Sequence, residues 1–388
     1  MCVIKRELGN WFLHSIETEE GKMKTRLNLM RNTIAAMAAI GGVMGVGSAW
    51  GYGLEATDWV GNGANTFAST GANWNNGVVP SASMRFAAGA YGKTVTFDRV
   101  YTVTDYIWNG TDDAGKYYDP STGVTNPVVW EATSPGYGIN HTNVSGRDAI
   151  IVGDANVQNA ALHVKSGTYY TAGQFRVAYA KSCAGWFWLE EGSFSCREDL
   201  RVGEGSGAKA EFIVGSGDPS RSAKFYVPVD RWAVVSASGG DSQITLRAGG
   251  EFHVAYCCQR DTTKSKLVFD GGAFVKDGDI SNQIGFLYGG DYPSVTAPAS
   301  RPVDQQIRME VTANGGVIDI QSFDTRIDAQ IRLAEGVTDG VLTKRGTAPL
   351  VLGDAGSAFD GTFRVAAGAV QLGTVGENTK AILDGGTL

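Results

Sequence analysis

Apolar and polar residues alternate in short runs that recur at a fixed period in the middle of the chain. Three of these runs have an apolar first and third residue: Leu162–Val164, Phe187–Leu189 and Phe212–Val214. A glycine stands three residues after each run, and the three glycines are 25 residues apart. Strict alternation predicts a strand with one buried face, and a fixed period of about 20–50 residues indicates a solenoid or an array. The pattern therefore predicts stacked, repeated strands.

Stacking of the repeats would align equivalent apolar residues in two inward columns. The columns would contain Leu162, Phe187, Phe212, Ile244 and Leu267, and Val164, Leu189, Val214, Leu246 and Phe269. A second strand is predicted eight residues after each glycine, at Phe175–Val177, Leu200–Val202 and Phe225–Val227. Because one unit cannot bury its apolar face alone, the units must share one core. This predicts an all-β right-handed parallel β-helix (β-solenoid) over residues 149–388, in preference to an array of β-sandwiches.

Residues 52–148 lack this repeat and are rich in tryptophan. The tryptophans concerned are Trp59, Trp74, Trp108 and Trp130. The end of a solenoid must protect its strand edge from pairing with other chains. We therefore predict an irregular, aromatic-rich N-terminal cap, in which the tryptophans serve packing. A carbohydrate-binding role for these tryptophans is the alternative.

Composition and charge narrow the class further. The chain holds 53 glycines and 10 prolines among 388 residues, so glycine is about twice as frequent as its usual share of about 7%. The lack of a three-residue glycine period excludes collagen, and 43% hydrophobic residues exclude a disordered polar chain. The formal charge of −7 provides no basic surface for nucleic acid. No nucleic-acid partner is expected.

The N-terminal segment resembles an export signal that starts at Met23. Lys24, Arg26 and Arg31 precede an uncharged apolar stretch at residues 33–46, and small residues follow at positions 47–49. This order is typical of a signal peptide, and the apolar stretch is shorter than the roughly 20 residues of a membrane span. We predict a signal peptide at residues 23–51 and an upstream artefact at residues 1–22, with Met23 rather than Met1 as the start. The protein is then exported to the cell surface, the outer membrane or the extracellular medium.

Export permits disulfide bonds. Cys183 and Cys196 could pair across one repeat or remain buried thiols, and the sequence leaves both states open. The adjacent Cys257 and Cys258 cannot easily bond to each other. Each of them is expected to have another partner or to act as a small buried apolar residue.

Residues 342–373 carry a more specific pattern. The sequence LTKRGTAPLVLG, followed by FDGTFRVAAGAVQLG, resembles the autotransporter-associated β-strand repeat, also called the passenger-associated transport repeat. Its matches include Leu342, Lys344, Gly346, Gly361 and Gly368, while Ala348-Pro349 and Phe359 depart from the pattern. The resemblance implies a β-helix passenger on a Gram-negative-type cell surface, and it implies no catalytic residues. Because the chain ends in what looks like another repeat, a truncated end and a missing C-terminal β-barrel translocator are expected. The alternative is a protein that reaches the surface by another route.

No catalytic or metal-binding set is recognisable in the sequence. Equivalent positions of consecutive repeats, two residues before the aligned glycines, hold Lys165, Glu190, Gly215, Arg247 and Asp270. Neighbouring carboxylates, which a glycoside-cleaving site requires, are missing at these positions. The four histidines lack zinc-type spacing. We therefore predict no catalytic residues, no metal and no cofactor.

One candidate binding surface follows from the alternation itself. Trp186 and Trp188 alternate with inward residues, so both should face outward and, together with Ile213, form an apolar stripe. A cell-surface glycan or a protein would be its ligand, unless a loop insertion covers the stripe. The favoured function is an exported, non-catalytic β-helix passenger with a structural or adhesive role. The alternatives are a polysaccharide-active β-helix enzyme, either a lyase or a glycoside hydrolase, and a carbohydrate-binding module.

Overall fold

The structure, a computed structural model, describes residues 57–86, 90–109, 118–119, 123–124, 126–142, 148–153, 159–228, 230–235, 241–259, 265–276, 283–284, 307–321, 325–327, 329–352, 359–373 and 376–388. By its internal contacts the chain divides into two units, Met1–Leu54 and Glu55–Leu388, and every described residue belongs to the second unit. The predicted signal peptide at residues 23–51 and the segment 1–22 lie outside the described residues. Among the residues that are described, no helix is long and apolar enough to cross a membrane.

Three faces of parallel strands wind around one apolar core. The nine-stranded sheet contains Thr94–Phe97, Val128–Ala132, Asn159–Val164, Ala184–Leu189, Lys209–Val214, Ser242–Arg247, Lys266–Asp270, Arg308–Val311 and Gln330–Leu333. The eleven-stranded sheet contains Val100–Val103, Gly138–His141, Thr168–Thr171, Gly192–Cys196, Ala223–Tyr226, Gly250–Val254, Ala273–Lys276, Gly316–Ile320, Val341–Arg345, Thr362–Val365 and Lys380–Leu383.

The third face is divided between two sheets. An eight-stranded sheet contains Thr57–Asp58, Met84–Phe86, Ile107–Asn109, Asp148–Val152, Gln174–Val177, Leu200–Val202, Trp232–Val235 and Tyr256–Gln259. A four-stranded sheet takes this position in later coils, with Gln283–Ile284, Thr325–Ile327, Leu350–Leu352 and Val370–Leu372. Outside these sheets lie an antiparallel pair, Tyr118–Asp119 with Gly123–Val124, and one short 3-10 helix, Gly71–Asn73.

The chain visits the three faces in turn, and each strand pairs in parallel with the equivalent strand of the next coil. Leu162 pairs with Phe187, Phe187 with Phe212, and the ladder continues through Ile244 to Leu267. All five side chains are completely buried. The second predicted inward column, from Val164 to Phe269, is aligned and buried in the same way. The predicted parallel β-helix and both inward columns are confirmed.

The predicted position of one second strand is wrong. Phe225 does not lie above Leu200; it pairs with Phe194 in the eleven-stranded sheet, and Leu200 pairs with Ala233. The cause is the corner between the first two faces, which takes only residues 190–191 in one coil but residues 215–222 in the next. The longer corner shifts the sequence against the ladder while the register of the strands is kept.

The strand register of the structure aligns aromatic side chains in a column in the core. Tyr169, Phe194, Phe225, Phe252 and Phe274 occupy one inward position of five consecutive coils, and each is at most 1% exposed. The rings of Phe194 and Phe225 are nearly parallel, with centroids 5.3 Å apart and an interplanar angle of 9°. Aromatic pairs of this kind contribute about 0.5–1.5 kcal/mol beyond the burial of their area.

The parallel ladder begins well before residue 149. Met84–Phe86, Thr94–Phe97 and Val100–Val103 already belong to the three faces, so the predicted boundary between a cap at 52–148 and the β-helix is placed too late. Loops of unequal length separate these early strands, which hides their repeat in the sequence. The irregular part that remains is the segment between Thr57–Asp58 and Met84.

This shorter cap is held together by buried aromatic rings. Trp59 and Trp74 are 1% and 2% exposed and pack edge to face, with centroids 5.2 Å apart. The Trp74 Nε1–H donates to the carbonyl oxygen of Ala68 at 2.9 Å, and Trp130 is completely buried in the core. The side chain of Trp108 lies outside the described residues. For the other three tryptophans, burial supports packing rather than carbohydrate binding.

Lys344 occupies an inward position, which is unusual for a lysine. It lies in the ladder between Ile318 and Val365 and is 2% exposed. Its Nζ donates to the carbonyl oxygens of Gly346 and, at 3.0 Å, of Ala367 in the next coil. Gly368 has a φ of +69°, and a Cβ at this position would lie 2.5 Å from that Nζ. Lys344, Gly346 and Gly368, three matched positions of the resembling pattern, thus form one contact between coils.

The described cysteines are buried thiols. Cys183 donates to the carbonyl oxygen of Ala180, whereas Cys196 donates to that of Tyr226, so the pairing of these two cysteines is not present. Cys257 lies in the central core and Cys258 in a separate cluster on the outer face. Burial raises the pKa of the Cys196 and Cys257 thiols above their ordinary value, which keeps them in the unreactive protonated form.

Replacing one ring of the aromatic column tests the corrected register. We expect Phe225→Ala to lower the free energy of unfolding by about 3–5 kcal/mol, because it leaves a cavity between two buried rings. The neighbouring Lys224→Ala, which removes only a partly exposed ion pair with Glu251, should change it by less than about 1 kcal/mol. Denaturant unfolding measures both variants. Equal effects would contradict the inward position of Phe225.

The buried amine of Lys344 predicts a pH dependence. Burial lowers its pKa below the ordinary 10.5, and the charge of Asp319 opposes that shift. Between the lowered folded-state pKa and 10.5, the unfolded chain binds the extra proton, so this group makes folding more favourable as pH rises. The stability difference between wild type and Lys344→Met should therefore increase with pH through this window.

Urea unfolding at several pH values above neutrality measures this difference. Lys380→Met is the matched control for the Lys-to-Met replacement itself, because Lys380 is an exposed lysine of the last strand. A wild-type advantage over Lys344→Met that shrinks as pH rises would exclude the buried position of Lys344.

Candidate functional site

The predicted apolar stripe lies on the outer face of the nine-stranded sheet, but it is covered. Trp186 and Ile213 are separate from the central core and form an outer cluster with Ala161 and Ala184. They are only 9% and 1% exposed. The hairpin formed by Tyr118–Asp119 and Gly123–Val124 lies against this face, and Val124 packs on the cluster. The side chains of Trp186 and Ile213 lie on the outer side of the sheet, as expected, and both are buried there.

Trp188 is the third residue of that stripe, and its ring is used by the protein. His163 of the preceding coil stacks on it almost in parallel, with centroids 4.2 Å apart. The guanidinium of Arg247, two coils further on, lies 5.3 Å from the ring centroid. The Nε1–H of Trp188 donates to the carbonyl oxygen of Gly215 at 2.8 Å. Trp188 therefore joins coils rather than offering a free aromatic face.

Charged groups complete this corner of the β-helix. His163 Nε2 lies 2.6 Å from Oε2 of Glu190, and Arg221 forms ion pairs with both Glu190 and Glu191. Burial lowers the pKa of His163 below its ordinary value, although the hydrogen bond with Glu190 acts in the opposite direction. The two carboxylates are held by a cation, as in a structural network.

The outer face of the eleven-stranded sheet offers a more accessible surface. One outward column of five consecutive coils holds Asn140, Tyr170, Ser195, Tyr226 and His253. All five residues are partly exposed. We call this column the Tyr170–His253 stripe. It combines two phenol rings, one imidazole and two small polar side chains along the axis of the β-helix.

Contacts at one end of the stripe fix its geometry. The rings of Tyr226 and His253 have centroids 4.4 Å apart. His253 Nε2 lies 2.9 Å from Oε2 of Glu251. The same oxygen forms an ion pair with Lys224, whose Nζ is 2.9 Å away. Partial burial would raise the pKa of Glu251, but Lys224 and His253 lower it below its ordinary value. The formal charges of Lys224 and Glu251 cancel beside the stripe.

The second outward column runs parallel to the stripe and adds hydroxyl groups. It contains Thr168 and Ser193, whose hydroxyl oxygens are 3.3 Å apart, followed by Lys224 and Glu251. Over the described residues, no group of three or more His, Cys, Asp or Glu side chains is placed to hold a metal ion. The chemistry of this face is therefore that of hydroxyl groups, aromatic rings and neutralised charge.

The 25-residue period does not predict the stripe, because the long corner at residues 215–222 interrupts it. A usable signal was present in the dipeptides Tyr169-Tyr170, Phe194-Ser195, Phe225-Tyr226 and Phe252-His253. Each pairs an inward aromatic residue with an outward residue of the stripe. With a period of 25 residues, aligning them requires an insertion of six residues between the second and third dipeptides and of two residues between the third and fourth.

Comparisons with protein-family models, with curated proteins and with solved structures give no match for this chain. The resemblance of residues 342–373 to the autotransporter-associated repeat therefore stays a prediction.

Titration of His163 tests the network around Trp188. Its imidazole should titrate below the ordinary pKa of 6.5, because burial disfavours the charged ring. Glu190→Gln should lower the midpoint further, since the wild-type carboxylate favours the protonated ring. NMR of the histidine Hε1 resonances follows both titrations, with His163→Asn for assignment. Glu251→Gln, which contacts His253 instead, should leave His163 unchanged. A midpoint that rises in Glu190→Gln would refute the arrangement.

Proposed function

We propose that this protein is an exported β-helix with a structural or adhesive role, displayed on a cell surface or released from it. In this proposal the Tyr170–His253 stripe is the contact surface. The observation that carries the proposal is the difference between two outer faces. The nine-stranded face is covered at Trp186 and Ile213, whereas the stripe keeps a column of partly exposed aromatic and polar side chains.

The fold itself favours display. Stacked coils hold side chains in straight columns on a rigid surface, which suits binding to an extended or repetitive partner. The apolar stretch in residues 33–46 behind a basic segment supports export by a cleaved signal peptide. The resemblance of residues 342–373 to a passenger repeat is in line with the same route.

A polysaccharide-active enzyme is less well supported. Such a site needs two carboxyl groups facing each other across the substrate, one with a raised pKa. Burial raises the pKa of Glu211, but this residue lies on the nine-stranded face beside Trp186 and is hydrogen-bonded to Gln243. The carboxylates Glu190, Glu251 and Glu310 are each bound to a cation.

Expression of the full chain in a Gram-negative host tests export and adhesion together. We expect the product to lack the signal segment, with a new N-terminus between residues 48 and 52 by Edman sequencing. When the chain is fused at its C-terminus to a β-barrel translocator, it should be accessible to protease on intact cells. Cells that display it should bind to target cells more than cells that carry the empty vector.

Two matched controls accompany this experiment. Met1→Ile should leave the yield unchanged, because Met23 is the proposed start, while Ile40→Arg within the apolar stretch should abolish export. Retention of the unmodified chain in the cytoplasm would contradict the proposal. Release of new reducing ends from polysaccharides by the purified protein would favour the enzyme instead.

A further inference from the structure

In one part of the Tyr170–His253 stripe, a small side chain lies between two large ones. Tyr170, Ser195 and Tyr226 occupy the same outward position of three consecutive coils, in register. Neighbouring strands lie about 4.8 Å apart, so the backbones that carry the two tyrosines are about 9.6 Å apart. The serine between them is too small to fill the space above its own strand.

The rings of Tyr170 and Tyr226 differ in their aromatic contacts. One side of the Tyr226 ring is occupied by His253, with centroids 4.4 Å apart, and His253 is itself held by Glu251. Its other side faces the coil of Ser195. Within the described part of the chain, the Tyr170 ring stacks on no other ring. In the ladder both tyrosines are direct neighbours of Ser195, one coil to each side of it.

The width of this space limits what can enter it. A ring-shaped group in van der Waals contact with an aromatic face lies about 3.5–4 Å from it. A group in contact with both tyrosine rings then needs a distance of about 7–8 Å between the rings. The spacing of about 9.6 Å between the strands that carry the tyrosines leaves room for one such group. Two stacked groups would not fit. The geometry therefore selects a single ring.

The side chains around the space indicate the chemistry of that ring. Ser195 provides a hydroxyl at the base, Asn140 lies one coil before Tyr170, and Thr168 and Ser193 provide hydroxyls in the adjacent column. The charges of Lys224 and Glu251 neutralise each other. A ligand with apolar C–H faces and hydroxyl groups at its edge, and without a net charge, matches this set of contacts.

We propose that Tyr170 and Tyr226 form the walls of a slot, with Ser195 as its base, that holds one pyranose ring of a neutral glycan. This inference rests on the proposed adhesive function, and it names the ligand class and the place where the ligand binds. The glycan chain leaves the slot across the hydroxyl groups of Thr168 and Ser193. His253 positions the ring of Tyr226 and does not contact the sugar.

Filling the slot is the sharpest test. The purified full chain is titrated with cellohexaose, mannohexaose, chitohexaose and, as an acidic comparison, hexagalacturonate, by isothermal titration calorimetry. We expect at least one neutral hexasaccharide to bind. Ser195→Trp should weaken that binding at least tenfold, because the indole occupies the space between the tyrosines. Tyr226→Ala should do the same, whereas Tyr170→Phe should retain binding because the ring face is kept.

Thr343→Trp is the matched control. Thr343 lies in the outward column of Ser193 and Lys224, three coils beyond Glu251. The substitution adds the same indole to the same face, away from the slot. The affinity of this variant for the hexasaccharide should equal that of the wild type. Circular dichroism and the thermal unfolding midpoint must match for both tryptophan variants, so that a loss of binding reports on the slot rather than on folding.

Three results would overturn the slot. These are a wild-type chain that binds none of the neutral hexasaccharides, equal affinities of wild type and Ser195→Trp, or binding of hexagalacturonate alone. Periodate treatment of the target cells destroys their glycans. If Ser195→Trp abolishes cell adhesion but adhesion of the wild type survives this treatment, the slot binds a protein side chain, and the proposal of a glycan ligand is contradicted. The adhesive function fails separately, if the wild-type chain is not exported or if displaying cells adhere no better than the empty vector.

Discussion

In-register pairing of parallel strands between consecutive coils is the constraint on which the rest of this structure depends. Buried backbone groups must find partners, and in a β-helix those partners are the strands above and below. A slip of one residue would turn every inward side chain outward. The ladder therefore holds its register even where the sequence between strands changes length, as it does at residues 215–222. Insertions are confined to corners and loops, and the strands stay aligned.

Register also determines which side chains meet. On the inside it stacks Phe194 on Phe225, and on the outside it stacks Tyr226 beside His253. The outer faces then differ according to what covers them. Val124 of a hairpin packs on the cluster that contains Trp186 and Ile213, whereas the polar and aromatic column of the eleven-stranded face is partly exposed. The same alignment produces the core and the candidate binding surface.

The sequence predicted the parts of the fold that depend on alternation alone. The columns that begin at Leu162 and Val164 were predictable because their spacing is regular and their residues are apolar. The coil at Thr94–Val103 was not, since unequal loops hide its period. Lys344 could not be recognised as inward from its polarity, because its amine is satisfied by carbonyl oxygens that only the next coil supplies. The covering of Trp186 depends on a distant hairpin, and a local pattern carries no information about that contact.

Cysteine cross-linking measures the register directly. In the structure Ser195 and Tyr226 are neighbours across the ladder, at a strand spacing that a disulfide can bridge. An uninterrupted period of 25 residues would instead place Arg201 beside Tyr226. Oxidation followed by mass spectrometry of the peptides distinguishes the two. The account predicts a disulfide in the variant Ser195→Cys/Tyr226→Cys and none between the introduced cysteines of Arg201→Cys/Tyr226→Cys. A cross-link in the second variant and not in the first would contradict the register, and with it the slot between the two tyrosines.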